Sequence, residues 1–320
     1  MALYDLPLDD LRAYAPDVAC PDDFDEFWAG TLAETRAAAW DARVERVDNA
    51  LDVVDTSDVT FSGYAGDPIR AWWHVPAGRQ PRAVVVEFIG YSGGRGLAHE
   101  VATWPLAGYA HLVVDTRGQG WGHWRSGDTA DPHGTGSAVP GVMTQGIEDP
   151  ATYYYRRVYA DAVRAVDTAR ALAPGIPLFV TGGSQGGGIS IAAAALADDV
   201  AGALPDVPFL CHFARATTIT DARPYKEIGE YLAGHRGRVE RVYRTLSYFD
   251  GVNMARRAAM PTLFSVALMD VICPPSTVFA AYNAWGGEDR RIEVYPFNDH
   301  EGGGAFQRRA QLDWLADRLR

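Results

Sequence analysis

Short apolar runs recur through the last three quarters of the chain, at residues 83–88, 111–115, 178–181, 262–268 and 292–295. Each is nearly continuous in apolar character, as expected of a strand buried on both faces. Stretches of helical character at 155–173, 187–197, 276–285 and 306–319 separate several of them. Strand alternating with helix predicts an α/β fold with a mostly parallel central sheet and helices on both faces. Upstream the pattern differs. Residues 22–39 repeat Phe24, Phe27, Trp28 and Leu32 at helical spacing behind an Asp-rich start, which predicts an N-terminal helix. Residues 43–47, 53–61 and 69–75 alternate as strands, and the turn residues at 63–67 make them antiparallel. A further strand is expected at 206–211. Between it and Pro261 a polar, helix-favouring section, 216–253, interrupts the alternation. It reads as a helical insertion capping the sheet edge where ligands bind. No internal repeat, low-complexity tract or linker breaks the chain, so residues 1–320 are expected to form a single domain.

Composition narrows the partners. With 48% hydrophobic residues and nine tryptophans in 320, the chain can bury a large core, and global disorder is excluded. A net charge of −12 argues against nucleic acid, which needs a concentrated basic surface. Residues 1–10 are acidic and lack the basic start and apolar core of a secretory signal. No apolar run has the length of a membrane span; the longest, 189–197, is stopped by Asp198 and Asp199. Cys20, Cys211 and Cys273 are odd in number and widely spaced, and read as buried free thiols in a reducing compartment. A cytoplasmic location is the expectation.

The chemistry centres on Gly182-Gly183-Ser184-Gln185-Gly186, a G-x-S-x-G sequence between a predicted strand and a predicted helix. Such a turn lifts a serine hydroxyl above the sheet, and side chains at Gly182 or Gly186 would strike the neighbouring strand or helix. An ordinary tight turn between strand and helix has the same composition, so the other strand ends decide. In a parallel sheet, function collects at the carboxyl ends of strands. Asp270 follows the run at 262–268, and His300 follows the run at 292–295. Serine, acid and histidine in that chain order fit nucleophilic catalysis: the imidazole removes the serine proton, and a buried carboxylate fixes the imidazole tautomer. Asp206 is the rival acid, and Asp270 has the competing reading of a helix cap before Ser276. The histidines at 74, 99, 111, 123, 133, 212 and 235 do not follow the last strand and read as structural.

An oxyanion formed during such a reaction needs two backbone N–H donors. One is expected from Gln185, the residue after the serine, and one from the loop after residues 83–88, with Tyr91 as the candidate. Gly93-Gly94-Arg95-Gly96 lacks the lysine and hydroxyl residue of a phosphate-binding loop. Neither H-E-x-x-H nor paired C-x-x-C occurs, so no metal or other cofactor is expected.

Arg117-Gly118-Gln119-Gly120, Gly183-Ser184-Gln185-Gly186-Gly187 and His300-Glu301 together resemble the acetyl xylan esterase/cephalosporin C deacetylase family (carbohydrate esterase family 7) of α/β-hydrolases. Supporting stretches are Pro208-Phe209-Leu210-Cys211-His212-Phe213, Ser247-Tyr248-Phe249-Asp250 and the segment from Asp270 to Ser276. The likeness runs from the helix holding Phe27 and Trp28 to the last helix. It implies Ser184 as nucleophile, Asp270 as acid, His300 as base and oxyanion donors from Tyr91 and Gln185. It also implies a small acyl pocket shaped by the Tyr91 ring and Pro224. The implied substrates are small acetylated sugars, with cephalosporin C as a further one. The implied assembly is a cytoplasmic homo-oligomer, often a hexamer. Ile89 departs from the histidine common before Gly90 in that family. Arg117 is expected to pair with carboxylates or carbonyls and hold the loop after 111–115. Rival readings are another acyl specificity on the same triad (lactonase, peptidase or perhydrolase) and a binding protein that has lost turnover.

Overall fold

The computed structural model describes residues 3–134 and 136–320. Its strands are β1 (Arg43–Val47), β2 (Val54–Ser62), β3 (Pro68–Pro76), β4 (Val84–Phe88), β5 (Ala110–Val114), β6 (Leu178–Gly183), β7 (Gly202–Asp206), β8 (Thr262–Ala267) and β9 (Arg290–Tyr295). They form one sheet in the order β1-β2-β3-β5-β4-β6-β7-β8-β9. The first three strands are antiparallel and join β5 antiparallel; from β5 to β9 all pairs are parallel. The helices are α1 (Leu8–Arg12), α2 (Phe24–Ala37), α3 (Thr103–Leu106), α4 (Tyr154–Leu172), α5 (Gln185–Leu196), α6 (Phe213–Ile219), α7 (Tyr225–Gly234), α8 (Val239–Ser247), α9 (Gly251–Ala255), α10 (Pro275–Ala284) and α11 (Gly304–Arg318).

Strand parity divides the core. Val84, Val86 and Phe88 of β4 join the large cluster that includes Val163 and Val166 of α4 and Ile189 and Ala193 of α5. Ala83 and Val85 point the other way, into a smaller cluster with Trp104 of α3 and Trp314 of α11. Both faces are thus covered, which is why these strands are nearly continuous in apolar character. Glu87 has the parity of Val85 and lies on the α11 face. After β5 the chain crosses β4 to make β6, so strand order reverses between β4 and β6 and a crevice opens at their carboxyl ends.

Two expectations need correction. The strand expected at 206–211 is instead β7, Gly202–Asp206, ending where 206–211 begins. Gly202 and Pro205 disguise β7. Beyond it Val207 (φ 36°) and Leu210 (φ 66°) bend the chain, so Phe209, Leu210 and Cys211 are apolar because a loop buries them, not because they pair. Of the three thiols expected to be buried, Cys211 and Cys273 are, whereas Cys20 is exposed ahead of α2. Residues 216–253 are helical, spanning the end of α6, α7, α8 and the start of α9.

Candidate active site

Ser184 caps α5 with φ 56° and ψ −118°, a conformation that costs a non-glycine residue about 1–3 kcal/mol. The surroundings hold it there. Its N–H donates to the Asp206 carbonyl (2.9 Å), and its own carbonyl accepts from Gly188 (3.0 Å) and Phe209 (2.9 Å). The flanking glycines are sterically required. A Cβ on Gly186 would lie 2.0 Å from the Phe88 carbonyl oxygen, and one on Gly182 would lie 2.4 Å from the Gly186 carbonyl carbon.

Asp270, fully buried after β8, accepts at Oδ1 from the N–H groups of Ile272 (2.8 Å) and Cys273 (2.9 Å). Its Oδ2 accepts from His300 Nδ1 at 2.9 Å. That bond puts the ring proton on Nδ1 and leaves Nε2 as the basic nitrogen. Asp270 does not cap the following helix, since the N–H of Ser276 donates to Asp5 (2.7 Å). Ser184 and His300 line one cavity. In this conformation Ser184 Oγ meets Cys273 Sγ at 3.9 Å and makes no hydrogen bond to the imidazole. Catalytic bonds of this kind commonly tighten only when substrate is bound.

The rival acid is committed elsewhere. Asp206 accepts from Gln307 (2.8 Å), Gln311 (2.7 Å) and Ser265 (3.2 Å), and burial pushes its carboxyl up to about 6. Glu301 accepts from Asn298 (2.7 Å). His74 is buried, and desolvation lowers its imidazole to about 3.

The loop after β4 is held from two sides. The Tyr91 hydroxyl donates to Glu227 of α7 (2.9 Å) and accepts from the Val142 N–H (2.7 Å). The Gln185 side chain, fully buried, donates to the Ile89 carbonyl (3.1 Å) and accepts from Tyr155 (2.8 Å) and Gln119 (2.8 Å). Gln119 in turn accepts from the Ser92 N–H (2.7 Å). Among the described residues, neither the Tyr91 nor the Gln185 backbone N–H has an acceptor within the chain. Arg117 is buried and bonds Asp161 through two nitrogens (2.6 and 2.8 Å), with Asp67 (2.9 Å) and Asp131 (3.2 Å) on its third. It holds the loop after β5, as expected.

The cavity measures about 570 Å³. Besides Ser184, its lining includes the apolar Tyr91, Pro224 and Ile272 and the charged Glu87, Arg125 and Arg308. The sequence reading missed Gln119 as a brace and Trp124, Arg125, Arg308 and Glu87 as lining. Gln119 stands in the Arg117–Gly120 motif, whose spacing shows no role for it; Trp124, Arg125 and Arg308 stand in no motif, and Glu87 is hidden inside a strand. Cys273 sits beside the nucleophile, which its place in the sequence does not show. Burial keeps it protonated well above the usual range. One group among the described residues brings metal-ligating atoms together, Asp270, Cys273 and His300 within 4.8 Å. Both oxygens of Asp270 already accept hydrogen bonds, so a cation there would have to displace the imidazole N–H.

The sequence profile of the acetyl xylan esterase (AXE1) family matches residues 1–318. An acetyl xylan esterase from Paenibacillus sp. R4 superposes with a TM-score of 0.89 at 40% identity, covering 98% of this chain and 99% of that one. Acetyl xylan esterase 1 from Thermoanaerobacterium sp. JW/SL YS485 gives a TM-score of 0.87 at 31% identity, over 97% of this chain and 99% of that one. Acetyl esterase Axe7A of Xylanibacter ruminicola is 32% identical over 167 residues, which are 50% of this chain and 36% of that protein. The fold is that of the α/β-hydrolases, and the chain belongs to the acetyl xylan esterase family.

Proposed function

We propose that this protein is a serine carboxylesterase that removes acetyl groups from small acetylated carbohydrates. The observation that carries the reading is the Asp270–His300 bond at the mouth of the cavity that the strained Ser184 also enters. His300 Nε2 takes the Ser184 proton as Oγ attacks the acetyl carbonyl. The oxyanion is met by the N–H groups of Tyr91 and Gln185, each donor contributing about 3–4 kcal/mol to the transition state. His300 then gives the proton to the leaving alcohol, and water activated by the same ring releases acetate. No step calls for a cofactor.

A lining that sets Tyr91, Pro224 and Ile272 in the same cavity as Ser184 supports a short acyl group. Activity on 4-nitrophenyl esters should fall steeply from acetate to butyrate; equal rates on acetate and octanoate would remove the deacetylase reading in favour of another acyl specificity. Deacetylation of cephalosporin C is proposed as a side activity, checked by release of acetate from it. A protein that had lost turnover would stay unlabelled by an organophosphate, whereas one adduct on Ser184 is expected here. The proposal extends to one domain over 1–320, with 216–253 as its cap, a cytoplasmic location and a homo-oligomer, with six copies as the expected number. Light scattering on the purified protein tests the last.

A further inference from the structure

Parity along the central strands collects polar residues on the α11 face of the sheet, and one of them, Glu87, lines the cavity that Ser184 lines. His111 and Glu87 sit there because their neighbours two residues earlier or later, Val113 and Val85, do. His111 Nε2 donates to Glu87 Oε2 at 2.8 Å, and among the described residues nothing donates to Oε1, although Glu87 lines the cavity. Arg308 of α11 lines the same end. Its guanidinium lies 4.6 Å from the centre of the Trp104 ring, and its Nη1 is buried with no partner among the described residues. Arg125, from the loop after β5, lines the cavity as well, and its guanidinium donates to the Arg95 carbonyl (3.2 Å), with no other partner among the described residues. Asp206 is nearby, but its oxygens are taken by Ser265, Gln307 and Gln311.

The unmet valences are therefore one carboxylate oxygen beside guanidinium N–H groups. A diol satisfies both kinds, one hydroxyl donating to the carboxylate and the other accepting from the guanidinium. A ligand carboxylate would satisfy only the arginines and would stand against Glu87, whose carboxyl His111, Arg308 and Arg125 hold down at about 2. Leaving both groups unpaired under an apolar leaving group would forfeit their hydrogen bonds at a desolvated site.

We propose that Glu87, Arg308 and Arg125 form the subsite for the alcohol half of the ester and that it selects an uncharged vicinal diol over a carboxylate-bearing sugar. The inference rests on the esterase reading above and assigns the charged part of the cavity lining to the alcohol half. Glu87 and Arg308 act here as specificity determinants, not in bond making.

The test compares three acetyl esters at pH 7: a monoacetylated methyl xyloside, a monoacetylated methyl glucuronoside and 4-nitrophenyl acetate. The intact protein should favour the neutral sugar over the uronate in kcat/KM by about tenfold or more. Glu87→Gln keeps the bond to His111 and removes the charge; it should shrink that preference about fivefold or more, through KM. Arg308→Gln should lower kcat/KM for both sugars relative to 4-nitrophenyl acetate by about tenfold, again through KM. A neutral-to-uronate ratio near one in the intact protein overturns the proposal, and that measurement needs no variant to fold. So does a Glu87→Gln protein, with an unfolding midpoint near that of the parent, whose ratio does not move. Failure of the intact protein to cleave any of the three would instead sink the esterase reading itself.

Discussion

The Tyr91 hydroxyl lies 2.9 Å from Glu227 Oε1 and 3.0 Å from Oε2, so α7 grips the loop that follows β4. Burial pushes the Glu227 carboxyl up to about 7. Between the ordinary carboxylate range and that value the folded chain holds a proton that the unfolded chain has released. Stability contributed at this position therefore falls as pH rises through that window and levels off above it. Glu227→Gln has no proton to lose. The difference in Tm, variant minus parent, should become more positive from pH 5 to pH 8. Asp206 and Asp250, both raised to about 6 by burial, slope the same way in both proteins and cancel in the difference. A difference that stays flat with pH would show that Glu227 is ionised throughout.

Two glycines of the elbow should respond oppositely to alanine. At Gly186 the new Cβ meets a backbone oxygen of β4, which cannot swing away, so Gly186→Ala should cost roughly 3 kcal/mol or more and be poorly soluble. At Gly183 nothing lies within 4 Å, so Gly183→Ala should stay within about 1 kcal/mol of the parent. Urea midpoints measure both.

Ser184→Ala should lower kcat on 4-nitrophenyl acetate by on the order of a million-fold with the fold intact. Asp270→Asn should lower it by about ten-thousand-fold, because the amide can hold the ring in the wrong tautomer. A residual rate near the parent's in the first variant would mean that another group attacks.

Gln119 does not line the cavity, yet it joins Ser92, Tyr154 and Gln185 around the oxyanion loop. Gln119→Leu leaves the Ser92 N–H and the Gln185 oxygen short of partners, at about 1–3 kcal/mol in stability. It should lower kcat by about tenfold or more with little change in KM, since the donors are needed most in the transition state. A change confined to KM would place Gln119 in substrate binding instead.

Local chemistry made much of this protein legible in one dimension. The apolar runs at β4, β5, β6, β8 and β9 announce a buried parallel sheet because both their faces must be covered. The elbow glycines announce Ser184, and order along the chain brings Asp270 and His300 to the rims of β8 and β9. The strand Gly202–Asp206 was not legible, because a glycine and a proline weaken its pattern while tertiary burial makes the loop after it apolar. Nor could the sequence show what gathers around Glu87, Gln119 or Glu227. Their partners lie 24, 66 and 136 residues away, at His111, Gln185 and Tyr91. Periodicity reports only which face a residue occupies, whereas a buried hydrogen bond depends on which distant residue the closed fold sets opposite it.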